Sequence, residues 1–177
     1  MNHAAYSSQA TWHAERPHIL VIACSDGRLQ ESVDDFLHEH LGVGQYDRLY
    51  MPGGPGALAQ SGDEISRSDQ WRRESLFLLD VHDIREVILI FHAAAHDGPE
   101  GANCADYARK LPTQPVSYIR TQQEEDAVEV MQRVFGGNAY NAHPVSVRVF
   151  RAEVRADYRV QFVEMMAAEQ PAEYSQP

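Results

Sequence analysis

Three short stretches carry groups able to do chemistry together. In Cys24-Ser-Asp-Gly-Arg28 a thiol, a carboxylate and a guanidinium alternate. In an extended turn this spacing projects all three towards one cleft. A thiolate is a soft metal ligand and a carboxylate a hard one, and Arg28 can hold Asp26 through a bidentate pair. In Phe91-His-Ala-Ala-Ala-His-Asp97 two imidazoles stand four residues apart. On a helical turn both would face one way, a spacing usable by a metal. Cys24 and His92, with His96, Cys104 or Asp26 in support, can form a tetrahedral Zn²⁺ site. The third stretch, Met51-Pro-Gly-Gly-Pro-Gly56, offers backbone N–H groups at Gly53 and Gly54.

The elements that must position these groups follow from the apolar pattern. Ile19–Cys24 is a continuous aliphatic run, suited to a strand buried on both faces. Leu29–Leu41 has helical spacing, with Val33, Phe36 and Leu37 inward and Gly42 as a stop. Tyr46–Met51 reads as a second strand and Glu86–Phe91 as a third. Asp69 is the expected cap of a helix through Trp71, Leu76 and Leu79 to about His82. A short helix is expected near Ala102–Leu111. Pro115–Ile119 reads as a fourth strand, followed by a helix capped by Thr121. Pro144–Val154 and Tyr158–Val163 alternate, as in a hairpin at a sheet edge.

This order predicts a single α/β domain: three layers, a mostly parallel central sheet and helices on both faces. In such sheets the site lies beyond the carboxyl ends of the strands, where all three stretches fall. Residues 1–16 are a candidate N-terminal arm and 167–177 a candidate flexible tail.

The chain has 177 residues, with 26 Asp and Glu against 15 Lys and Arg, for a net charge of −11. That charge makes it a poor match for nucleic-acid phosphates or anionic membranes. The apolar runs fall far short of the roughly 20 residues needed to span a bilayer. Two cysteines cannot build a disulfide framework, and Met1–Arg16 is too polar for a secretory leader, so a cytoplasmic, reduced chain is expected. Cys24-x₃-Arg28 has too few intervening residues for a phosphatase anion cradle, and no glycine-rich nucleotide motif is present.

Cys24-Ser-Asp-Gly-Arg28 after Ile-Leu-Val-Ile-Ala resembles the β-carbonic anhydrases, which carry Cys-x-Asp-x-Arg after their first parallel strand. Pro52-Gly-Gly-Pro-Gly-Ala-Leu58 is similar to the family's glycine-bearing turn, and Val87–Phe91 with His92 to its third strand. The resemblance covers about Ile19 to Asp97. It departs where the family has His-x-x-Cys-Gly, since Ala95 and His96 fill the cysteine and glycine slots. The resemblance implies zinc on Cys24, His92 and a third ligand. His96 is the first candidate, Cys104 the second, and a metal-free chain the remaining outcome.

It also implies hydration of CO2, or of a related small heterocumulene. Asp26 would accept a hydrogen bond from zinc hydroxide, Arg28 would keep Asp26 ionised, and an N–H of Gly53 or Gly54 would orient the substrate oxygen. Leu58, Phe36 and Tyr46 are candidate cleft walls. A homodimer or higher homo-oligomer is implied, with a small molecule as substrate. The alternative is a metal-free, inactive homologue serving as a binding or structural subunit.

Overall fold

The computed structural model describes residues 5–61, 65–136 and 144–166. Three segments make up the first part of the sheet: β1 (Ile19–Cys24), β2 (Asp47–Met51) at one edge, and β3 (Glu86–Ala94). β4 (Ser146–Val154) and β5 (Val160–Met166) complete it. The strand order is β2-β1-β3-β4-β5. The first four strands run parallel and β5 closes one edge antiparallel to β4.

The central strands read as unbroken apolar runs because both of their faces are covered. Leu20, Ile22, Leu89 and Phe91 enter one core, and Val21, Ala23, Ile88 and Ile90 the other. Helix α1 (Gln30–Asp35), which widens into a π turn over Phe36–His40, packs Val33, Phe36 and Leu37 on the second core. Helices α2 (Ile65–Val81), α3 (Ala105–Lys110) and α4 (Val116–Val130) cover the first with Leu79, Tyr107, Ile119, Ala127 and Val130. Each fully buried aliphatic side chain contributes about 1.5–3 kcal/mol, against at most about 1 for an exposed ion pair. The two apolar faces therefore fix the sheet. This is the three-layer α/β architecture with a mostly parallel sheet that the sequence predicts, and the expected edge hairpin is β4–β5.

Two expectations are corrected. The segment Pro115–Ile119 is not a strand but the start of α4. Pro115 is extended at the helix N-cap, where its missing N–H costs nothing. Ile119, Gln123, Asp126, Ala127 and Val130 are buried at helical spacing, so Thr121 lies inside the helix and caps nothing. Asp69 likewise falls within α2, which already begins at Ile65. Residues 5–16 of the candidate arm are exposed and form no helix or strand. The candidate tail, 167–177, lies outside the described residues.

Candidate metal centre

β1 delivers Cys24 at its last position, and the chain then turns. Asp26 caps the following 3₁₀ turn Gly27–Leu29 by accepting the backbone N–H of Arg28 at 3.1 Å. The same carboxylate takes the Arg28 side chain on two nitrogens, Nε at 2.9 Å and Nη2 at 2.5 Å. Arg28 is tied down further by Nη1 donating to the Gly101 carbonyl at 3.2 Å. The guanidinium beside Asp26 lowers its carboxyl to about 2, outweighing the opposing effect of burial.

Two glycines bring the turn after β2 against β1 and against α3. Gly54 has φ +55, and a Cβ there would stand 2.8 Å from the Cys24 backbone nitrogen. Gly53 has φ +90, and its Cβ would meet Asp106 Oδ2 at 2.5 Å. Both positions need a residue without a side chain. Neither glycine lines the cavity beside Asp26.

β3 continues in strand to Ala94, and its pairing with β1 stops at Ala23↔Ile90. His92 therefore stands two residues beyond the paired end of β1, where its ring can reach over the strand end. His92 is 3 % exposed. Its Nδ1 faces the Ala102 carbonyl at 3.2 Å, and its Nε2 is buried with no hydrogen-bond partner. A carbonyl accepts only, so Nδ1 carries a proton and Nε2 is the ring nitrogen left for a ligand. Its backbone carbonyl accepts from Gln123 Nε2 at 2.8 Å. Gln123 is held in place because α4 is clamped to β4 by Arg151–Glu124 at 3.2 Å and Arg120–Glu153 at 2.8 Å.

The short 3₁₀ turn Glu100–Ala102 then leads to Cys104, which is buried at the start of α3. Among the described residues, Cys24, His92 and Cys104 form a group of possible ligands whose donor atoms all lie within 4.8 Å of one another. His96 is not in that group. It is exposed on the turn that follows β3. Because β3 stays extended through Ala94 and then turns, His92 and His96 do not share a face as they would on a helix. In the space expected for His96 stands Cys104, twelve residues after His92.

The thiols respond to each other. A hydrogen bond from Cys104 holds the Cys24 thiol well below its ordinary range, against the opposing effect of burial and with help from His92. The same hydrogen bond and burial push Cys104 up. Two thiols and one imidazole are the nitrogen and sulfur donors Zn²⁺ prefers. The unpartnered, buried Nε2 gives the fit a second support, since such an atom is costly unless something binds it.

Beside the group lies a cavity of about 340 Å³. Asp26, Arg28 and His92 form its polar side, and Leu29, Val154 and Val160 belong to its apolar wall. The expected walls lie elsewhere. Leu58 is fully buried in the core, Phe36 stacks on Phe162 at 4.0 Å, and Tyr46 lies against Arg48. Gln123 and the hairpin residues escaped sequence reasoning: a helical Gln and two strand Val carry no local signal of a site.

The chain is similar to several solved structures. They include β-carbonic anhydrase isoform I of Trichomonas vaginalis, at 13 % identity and TM-score 0.41, over 89 % of this chain and 88 % of that one. A carbonic anhydrase of Streptococcus mutans matches at 16 % identity and TM-score 0.43, over 87 % of each chain. The apo form of a carbon disulfide hydrolase matches at 10 % identity and TM-score 0.44, over 83 % of this chain and 79 % of that one. No protein-family model and no curated protein matches the sequence.

Proposed function

We propose that the chain is a zinc-dependent lyase of β-carbonic-anhydrase type, catalysing the reversible hydration of CO2 or a related small heterocumulene. The observation that carries this reading is the grouping of Cys24, His92 and Cys104, whose donor atoms lie within 4.8 Å of one another, together with the buried, unpartnered Nε2 of His92. Cys24, His92 and Cys104 would hold the ion. A bound Zn²⁺ supplies Lewis acidity, lowering the pKa of water from 15.7 to about 7.

The chain's own residues do the rest. Asp26, kept ionised by Arg28, accepts a hydrogen bond from the attacking water and sets its orientation. The apolar wall of Leu29, Val154 and Val160 suits a neutral, linear substrate and sheds bulk water. Gly53 and Gly54 act at one remove, allowing the turn after β2 to back directly on Cys24 and Asp106. A cytoplasmic homodimer or higher homo-oligomer belongs to the same reading. No helix among the described residues is long and apolar enough to cross a membrane.

The test is stopped-flow CO2 hydration by protein expressed with zinc supplementation, beside its Cys24→Ser variant. A rate above buffer that the variant loses supports the reading. Zinc below about a tenth of an equivalent, or a rate equal to buffer, overturns it.

A further inference from the structure

The β4–β5 hairpin turns through Arg155-Ala-Asp-Tyr-Arg159, closed by Arg155 N–H donating to the Arg159 carbonyl at 2.9 Å. Tyr158 N–H donates back to Arg155 O at 2.9 Å, and the Tyr158 backbone has φ +62. Three-residue hairpin loops place glycine at this left-handed position, because any Cβ there is strained. A bulky aromatic is among the worst choices, and such strain concentrates at functional sites.

The ring is not idle. Tyr158 lines the same cavity as Asp26, Arg28 and His92 while remaining 77 % exposed, which puts it at the cavity's outer rim. The hairpin beneath it is fixed to the strand bearing His92. Ala95 N–H donates to Val154 O at 2.9 Å, and a Cβ at Gly98 would stand 2.0 Å from that oxygen. The rim therefore keeps its position relative to the imidazole.

We propose that Tyr158 is a specificity-determining residue that screens access to the His92 side of the cavity, its ring narrowing the mouth to small, linear molecules. The reading of the substrate rests on the lyase function above; the screening itself does not require it.

The test is carbethoxylation of His92 by diethyl pyrocarbonate in the metal-free full-length chain, followed by peptide mass spectrometry. Tyr158→Gly suits the left-handed backbone, and Tyr158→Asn is a second substitution tolerated there. Both are expected to speed modification of His92 by about threefold or more, because a narrowed mouth excludes a branched reagent. Tyr158→Phe should stay at the wild-type rate. His18 and His82, at the opposite ends of β1 and β3, should not change. An unchanged His92 rate in both Tyr158→Gly and Tyr158→Asn overturns the proposal. So does an equal rise at His18 and His82, which would signal general loosening. The readout needs neither bound zinc nor turnover, so its failure and the failure of the lyase reading are distinguishable.

Discussion

The sulfurs of Cys104 and Cys24 lie within 4.8 Å of each other at the carboxyl end of β1, joining the start of α3 to the first strand. The relationship restores a second thiol to a site whose neighbouring sequence, Ala95-His96, has none. It also makes the two sulfurs titrate as a pair in metal-free protein.

That pairing predicts a pH profile. Cys24 is lowered from 9.0 and Cys104 raised above it. A lowered group stabilises the fold above its unfolded value, and the benefit is lost as pH falls through its folded value. A raised group stabilises below its unfolded value and loses the benefit as pH rises through its folded value. The pair's contribution in metal-free protein should peak near 9 and fall in both directions. Cys104→Ala removes the donor, so iodoacetamide labelling of Cys24 should shift its midpoint upward. An unchanged midpoint would mean that Cys104 does not control the Cys24 thiol.

The Asp26–Arg28 pair predicts an acid limb. Asp26 is lowered from 3.8 to about 2, so its contribution is complete above 3.8 and lost as pH falls towards 2. Arg28 is largely exposed, so the stability at stake is under about 1 kcal/mol. In Arg28→Gln the Asp26 carboxyl, followed by NMR titration, should move up towards the ordinary carboxylate range. A value still near that of the wild type would show that Arg28 is not its cause.

Close packing behind the site predicts large costs for small additions. A Cβ at Gly56 would stand 2.1 Å from the Tyr107 hydroxyl, which itself donates to Asp126 at 2.5 Å in the buried core. Gly56→Ala must displace that ring and break the bond, at a cost of about 2–3 kcal/mol. Tyr107→Phe, which only removes the hydroxyl, should cost about 1–2 kcal/mol, because Ser61 and Gln122 still donate to Asp126. Urea denaturation of the two variants checks the order, and equal stabilities would refute it.

How much of this was legible in the sequence differs by element. β1 and β3 were plain because burial on both faces demands an unbroken apolar run, and the Asp26–Arg28 pair was plain because it is local. Pro115–Ile119 misled because Val116 and Ile119 are β-branched, while the buried set that decides for a helix extends to Val130, well beyond that window. The third ligand is harder to read, because sequence distance favours His96 over Cys104. Whether β3 ends at His92 or runs on to Ala94 settles which side chain returns to Cys24, and that length is set by pairing with β4, through Ala94↔Val154, which no local pattern reveals.

The most direct test of the centre is the zinc content of purified Cys104→Ser beside His96→Ala. With Cys24, His92 and Cys104 as ligands, wild type and His96→Ala should each carry about one equivalent, and Cys104→Ser less than about a tenth. Zinc retained in Cys104→Ser and lost from His96→Ala would contradict it.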